Sequence, residues 1–140
     1  MRHALLLAAV LASASAAPAH ACSCRCQGDA EALARGVPIF FRGRPTGDAI
    51  EGDVRRYTFE VSAVLKGEPA RRTMTVTTAA HGAACGAQFD MQRDTLVGAF
   101  PHKAGWSANS CTQWCIGQKR DEVERLLARC TPGAPCPPRR

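Results

Sequence analysis

Residues 56–66 read Arg-Tyr-Thr-Phe-Glu-Val-Ser-Ala-Val-Leu-Lys, and this stretch says most about the fold. Apolar residues occupy alternate positions from Tyr57 to Ala63, with threonine, glutamate and serine between them, which is typical of a β-strand with one buried face. Val64 breaks the alternation on the polar side, so we expect a bulge or burial on both faces there. The whole stretch is therefore predicted to be a strand.

Similar patterns predict four more strands. After a turn at Gly67-Glu68-Pro69, the chain alternates again from Thr73 to Thr78, which predicts a hairpin with a longer loop. The other predicted strands are Val37–Arg44, ended by Pro45-Thr46-Gly47, then Thr95–Phe100 and Trp106–Trp114.

Two short helices complete the pattern. One runs from Asp29 to Arg35, with Asp29 as N-cap and Gly36 as terminator. The other lies near the C-terminus, where Asp121 and Glu124 form a capping-box pattern and four residues share one helical face. These four are Val123, Leu126, Leu127 and Cys130. We therefore expect a chain of the all-β class, β-rich with two short helices. The expected architecture is a disulfide-stapled, five-stranded OB-like barrel with a C-terminal helix. A small β-sandwich fits the same composition.

The first 21 residues have the pattern of a signal peptide. Arg2 and His3 precede an apolar run, and Ala19-His20-Ala21 is an A-x-A cleavage pattern. The apolar run is about half as long as a membrane span requires, so we expect export, either secreted or periplasmic, and no transmembrane segment. A cysteine directly after a leader can instead be lipidated, but Ala19 and His20 occupy the positions where lipoprotein signals usually carry leucine and a small residue.

Cleavage after Ala21 leaves one domain, residues 22–130, followed by residues 131–140, which contain four prolines and are predicted to be irregular. All eight cysteines lie in this mature part: Cys22, Cys24, Cys26, Cys85, Cys111, Cys115, Cys130 and Cys136. An even number of cysteines in an oxidising compartment predicts up to four disulfides. The alternative is zinc, because Cys22-x-Cys24 and Cys111-x₃-Cys115 have tolerable ligand spacings.

The charged and aromatic residues define few candidate sites. Without Arg2, the chain carries 17 Lys and Arg against 12 Asp and Glu, and it is basic enough to bind an anionic glycan or an envelope surface unless these charges are merely solvated. His81 and His102 fall in no nucleophile pattern, and no HExxH or glycine-rich phosphate loop is present, so we expect no enzyme and no cofactor. Because the chain is expected to be exported and has few aromatic residues, we also expect no nucleic-acid partner. Trp106 and Trp114 flank Cys111, either as a binding patch or as packing around a disulfide. The basic pairs are Arg55-Arg56, Arg71-Arg72 and Arg139-Arg140.

Several short motifs occur in a characteristic order. They are Cys22-Ser23-Cys24, Phe41-Arg42-Gly43-Arg44, Tyr57-Thr58-Phe59-Glu60-Val61, Val64-Leu65-Lys66-Gly67, Cys85-Gly86-x-x-Phe89, Leu96-Val97 and Cys111. This ordered set resembles the netrin-like domain and, within it, the tissue inhibitors of metalloproteinases and their bacterial relatives. The resemblance implies a five-stranded OB-type barrel with the disulfides Cys22–Cys85 and Cys24–Cys111, each stabilising by about 4 kcal/mol. Cys26, Cys115, Cys130 and Cys136 stay unassigned, with Cys26 expected to pair with Cys115 or Cys130.

The resemblance also implies a function. In the tissue inhibitors, the α-amine and carbonyl of the first cysteine chelate the zinc of a metalloprotease, and the next side chain enters the specificity pocket. These partner-binding roles fall to Cys22 and Ser23, with Cys24 as the second staple. The chain departs from the family at Arg25 and Cys26, where an apolar residue and proline are usual. Many netrin-like domains do not inhibit proteases, so the alternative is a non-inhibitory binding module in which Cys22 is purely structural.

Overall fold

The computed structural model describes residues 22–67, 71–103, 105–134 and 136–137, so the predicted signal peptide lies outside the described residues. Within them the chain forms three α-helices and five β-strands, one helix more than predicted. In chain order these are α1 Ala30–Gly36, β1 Ile39–Glu51, β2 Val54–Lys66, β3 Thr73–Ala79, β4 Thr95–His102, β5 Gly105–Ser107, α2 Ser110–Gln118 and α3 Arg120–Leu127. A short 3₁₀ turn, Gly82–Ala84, lies between β3 and β4.

The five strands form one sheet whose pairing closes on itself in the order β1-β2-β3-β5-β4. Strand β1 pairs antiparallel with both β2 and β4, and the pairs β2–β3 and β4–β5 are also antiparallel. Strands β3 and β5 are parallel. A closed cycle is not the arrangement of a two-sheet sandwich, which the composition also allowed. The predicted hairpin, β2 with β3, is confirmed.

Strand β1 is longer than predicted, and it forms a second hairpin with β2. Strand β1 does not end at Pro45-Thr46-Gly47 but continues to Glu51, and the turn falls at Gly52. Proline is accommodated because β4 pairs with β1 only as far as Gly43, so the proline lies at an edge and beside a shift in register. Two further register shifts occur in this pair: one between Phe40 and Phe41, beside Val64, where the sequence predicts a bulge, and one between Arg42 and Gly43.

The run Ile39-Phe40-Phe41 in β1 contributes to two separate cores. Because successive side chains on a strand point to opposite faces, Ile39 and Phe41 pack with the barrel residues, while Phe40 packs with the helices. The barrel core also contains Tyr57, Phe59, Met74, Val76 and Val97. The second core contains Ala30, Ala34, Leu96, Ile116, Val123 and Leu127. One short apolar run therefore holds the barrel and its helical cover together.

The Lys66-Gly67 pair attaches α1 to the barrel. The Nζ of Lys66 donates hydrogen bonds to the carbonyl oxygens of Ala34, Arg35 and Val37 at 2.7, 3.0 and 2.6 Å, at the end of α1 where helix carbonyls lack intrahelical partners. Partial burial lowers the pKa of Lys66 from its usual value. Gly67 has a φ of 93°, and a Cβ there would lie 2.6 Å from a backbone oxygen of the α1–β1 connection. This part of the Val64–Gly67 motif therefore has a structural role.

Both predicted helices are present, but one predicted cap is wrong. The side chain of Asp29 accepts a hydrogen bond from the amide of Ala32 at 2.9 Å, which confirms the N-cap of α1. Helix α3 buries its predicted apolar face, but it begins at Arg120, so Asp121 lies inside the first turn and cannot cap it. Glu124 instead forms ion pairs with Arg120 and with Arg42 of β1.

The segment from Trp106 to Trp114 differs most from the sequence prediction. The expected strand is reduced to the three residues of β5, and α2 begins at Ser110. The side chain of Asn109 accepts a hydrogen bond from the amide of Thr112 at 2.8 Å and so caps the helix. This cap is the local signal that the strand interpretation missed.

Candidate functional site

Residues 22–27, named here the cysteine segment, have no regular secondary structure. Cys22, Cys24 and Cys26 are half-buried, while Ser23 and the other two residues between and after them are exposed. An extended chain that lies against a surface produces this alternation, because successive side chains point in opposite directions. The three cysteine side chains therefore face the protein, and Ser23 faces solvent.

Three disulfides attach the cysteine segment to the fold: Cys22–Cys85, Cys24–Cys111 and Cys26–Cys115. Cys111 and Cys115 are four residues apart on α2, a rise of about 6 Å along the helix. Two residues of extended chain span about 6.6 Å, so Cys24 and Cys26 have nearly the same spacing. Two neighbouring disulfides therefore hold the segment alongside α2, with both chains running in the same direction.

The Cys22–Cys85 and Cys24–Cys111 bonds are the pairs that the resemblance implies, and Cys26 takes the first of its two expected partners. The fourth disulfide joins Cys130 to Cys136 across six residues. No cysteine is free, so none is left as a thiolate ligand for zinc, and the zinc alternative is wrong. The Sγ of Cys22 is already bonded to Cys85, which leaves no thiol for the lipid thioether of the lipoprotein alternative.

The loop that carries Cys85 is held firmly against the start of α2. The amide of Ser110 donates a hydrogen bond to the carbonyl oxygen of Cys85 at 2.8 Å, and Gly86 forms a β-bridge with Asn109. The amide of Ala87 donates to the hydroxyl of the buried Thr78 at 2.7 Å. Because Cys85 is held by backbone contacts on both sides, its disulfide gives Cys22 one position on the fold.

A concave surface of about 690 Å³ lies directly beside Cys22. We name it the Trp114 groove; its lining residues are Cys22, Cys24, Gly82, Ala83, Gly86, Gln88, Ser110 and Trp114. Trp114 is 49% exposed although its side chain is large and apolar. Four of these residues, Cys22, Cys24, Gly86 and Trp114, belong to motifs visible in the sequence, whereas the small residues before Cys85 carry no such signal. No local pattern indicates that this loop and α2 form the two walls of one groove.

The two tryptophans do not form one patch. Trp106 packs against the barrel core and lines a different concavity, so only Trp114 lies beside the disulfides of the cysteine segment. His81, just before the 3₁₀ turn, and His102 at the end of β4 are both exposed. Within residues 22–67, 71–103, 105–134 and 136–137, no group of three or more His, Cys, Asp or Glu side chains is arranged to hold a metal ion.

The basic pairs are partly neutralised by acidic neighbours. Arg55 lies 3.5 Å from a carboxylate oxygen of Asp48, and Arg56 lies 3.2 Å from a carboxylate oxygen of Glu51. The predicted pair Arg139-Arg140 lies outside the described residues. Strand β2 therefore does not present a purely basic surface, which weakens the case for a glycan site on this strand.

No protein-family model matches the chain, and no curated protein matches it. In the part of the chain that the structure describes, no helix has the length and apolar character needed to cross a membrane. The cysteine segment, its three disulfides and the groove beside it are therefore the features from which a function must be argued.

Proposed function

We propose that the processed chain inhibits a zinc metalloprotease, with the α-amine and carbonyl of Cys22 as ligands to the partner's zinc. One observation carries this proposal. The residue that would become the new N-terminus is bonded to Cys85, and Cys24 is bonded to Cys111, so both sides of the exposed Ser23 are anchored. A first residue anchored in this way can enter a catalytic cleft without a large loss of conformational freedom.

The chemistry of the new N-terminus suits zinc binding. An α-amine has a pKa of about 7.7–8.0, so near neutral pH a substantial fraction is deprotonated and able to donate its lone pair to a metal. With the carbonyl oxygen of the same residue it forms a chelate that would displace the zinc-bound water, which is the nucleophile of a metalloprotease. Ser23 is exposed between the two anchored cysteines, and we propose that its side chain enters the partner's specificity pocket.

We also propose that the fold is of the OB type and that the protein acts outside the cytoplasm. The closed strand order with β3 and β5 in parallel, together with the helices packed on one side, supports the first assignment. Four disulfides in a chain of this size support the second, because disulfides persist in oxidising compartments.

A second candidate function is that of a binding module that contacts its partner without chelating zinc. The Trp114 groove favours it, because the groove exists whether or not the amine of Cys22 is free. The two candidates differ in one requirement, since only chelation needs an unmodified α-amine on Cys22 itself.

The test begins with the chemical state of the mature N-terminus, determined by intact-mass measurement and N-terminal sequencing. Inhibition is then measured against thermolysin-type and metzincin-type zinc proteases. One alanine inserted before Cys22 moves the amine away from the metal while leaving all four disulfides in place, and one alanine added after Arg140 is the matched control. We expect the insertion to abolish inhibition and the control to leave it unchanged. Inhibition that persists after the insertion would show that chelation by Cys22 is not the mechanism.

A further inference from the structure

We infer that Trp114 is an anchor for the protein partner and that the Trp114 groove receives an apolar side chain from the rim of the partner protease's catalytic cleft. This inference rests on the proposed function, because it takes the partner to be the protease whose zinc Cys22 binds. It adds a second contact, on a different secondary-structure element, to those of Cys22 and Ser23.

Trp114 differs from the other exposed large apolar residues in its surroundings. Ile50, Val54 and Met91 are 52%, 43% and 38% exposed, but none of them lines the groove beside Cys22. On α2 the buried residues Cys115 and Ile116 face the protein, and at about 100° per residue Trp114 lies nearly opposite Ile116. The helix therefore presents its tryptophan to solvent while its other face is packed.

Ser110 contributes to the same wall of the groove as Trp114. The Oγ of Ser110 is buried and has no hydrogen-bond partner among the described residues. Ser110 precedes Trp114 by four residues, so the two side chains lie on the same face of α2. Because this hydroxyl is buried rather than open to the groove, the surface around Trp114 is largely apolar and suits an apolar side chain of the partner.

Both walls of the groove are rigid. Two disulfides hold α2 to the cysteine segment, and the side-chain amide of Gln113 donates a hydrogen bond to the carbonyl oxygen of Gly98 in β4 at 2.6 Å. The opposite wall, Gly82–Ala83, is attached through Cys85. Tryptophan is enriched among residues that dominate binding energy, and a tryptophan already held in place loses little freedom on binding.

The composition and position of the groove indicate which class of partner it binds. Its lining residues include no charged side chain, although the chain contains 18 Lys and Arg and 12 Asp and Glu, so a polyanion finds no cluster of basic side chains there. A second copy of the chain is disfavoured because a stable interface buries about 800 Å² per partner, more than one tryptophan and several small residues provide. Since Cys22 itself lines the groove, a protease bound at Cys22 must face Trp114 as well.

The first part of the test observes the NMR signal of Trp114 directly. The chain has two tryptophans, so protein labelled with 5-fluorotryptophan gives two ¹⁹F resonances, which Trp106→Phe assigns. Titration with a zinc metalloprotease that the wild type inhibits should shift the Trp114 resonance and leave the Trp106 resonance in place. An unshifted Trp114 resonance in a saturated complex overturns the inference.

The second arm measures affinity. We expect Trp114→Ala to weaken inhibition about 30-fold and the matched control Ile50→Ala, at an equally exposed residue outside the groove, to change it less than about twofold. If the alanine insertion before Cys22 abolishes inhibition but Trp114→Ala leaves it unchanged, this inference is wrong and the proposed function stands. If the wild type inhibits no protease in the panel, both are wrong. Should Trp114→Ala fail to fold, as judged by circular dichroism, the ¹⁹F titration decides alone.

Discussion

Removing the Cys26–Cys115 disulfide, in the variant Cys26→Ser/Cys115→Ser, should destabilise the protein much less than its sequence separation of 89 residues suggests. If it were the only disulfide, a bond closing a loop of this length would lower the conformational entropy of the unfolded chain and so stabilise the fold by about 4.6 kcal/mol. The neighbouring Cys24–Cys111 bond, however, already joins the same two parts of the chain. The loop that Cys26–Cys115 adds runs only through residues 24–26 and 111–115. For a loop of about eight residues the same relation gives about 2.5 kcal/mol.

The same reasoning makes the two bonds interdependent. The variant Cys24→Ser/Cys111→Ser should also lower the free energy of unfolding by about 2.5 kcal/mol at most, because Cys26–Cys115 still holds the segment beside α2. Removing both bonds reopens a larger loop, which Cys22–Cys85 still limits to about 30 residues, worth about 3.6 kcal/mol. The quadruple variant should therefore lose about 6 kcal/mol in total, which is much of the 5–15 kcal/mol typical of a folded domain.

Urea unfolding at equilibrium, followed by circular dichroism, measures these losses by linear extrapolation, and intact mass verifies the remaining disulfides. Cys130→Ser/Cys136→Ser is the control, because its six-residue loop is shared with no other bond. Its removal should lower the free energy of unfolding by about 2.2 kcal/mol whatever other bonds are removed. A loss of about 4 kcal/mol or more for either double variant, or about 9 kcal/mol for the quadruple variant, would refute the argument from shared loops.

Three further substitutions test the contacts that position the site. Lys66→Met should lower the free energy of unfolding by about 1–2 kcal/mol, because three carbonyl groups at the end of α1 lose their hydrogen-bond donor. Urea unfolding measures this change, and an unchanged midpoint would contradict the prediction. Gly67→Ala should lower the free energy of unfolding by about 2 kcal/mol, because the residue has a positive φ and its new Cβ would collide with the backbone. The control Gly36→Ala, whose Cβ meets nothing within 4 Å, should change this free energy little. Equal decreases of stability in calorimetry would contradict the prediction. Thr78→Val leaves the amide of Ala87 without its hydrogen-bond acceptor and should lower the free energy of unfolding by about 1–3 kcal/mol. Hydrogen exchange at that amide should become faster, and exchange as slow as in the wild type would contradict the prediction.

Those elements whose burial follows a simple period were predictable from the sequence. Strand β2 alternates because one of its faces lines the barrel, and α3 repeats at helical spacing because one of its faces packs on the second core. Helix α2 was missed because its face is partly covered by the cysteine segment, so cysteines stand where a more usual helix would carry leucine or valine. The end of β1 was misplaced because a proline stops most strands, and only the limited extent of β4 shows that it is tolerated here.

The candidate site divides in the same way. The Cys22-Ser23-Cys24 motif and its position after a cleavage pattern were visible in the sequence, whereas the groove formed by the turn before Cys85 and by α2 was not. These walls are separated by more than twenty residues of chain, and no local pattern links them.

The sequence by itself determined the number of cysteines, the alternation of the main strands and the apolar face of the last helix, since composition and periodicity are properties of neighbouring residues. The tertiary structure alone decided how Cys26, Cys115, Cys130 and Cys136 pair, where β1 ends and where Trp114 is exposed. Eight cysteines allow on the order of a hundred connectivities, and only distances in the folded chain select one of them. Those distances depend on packing between elements far apart in sequence, which no local period records.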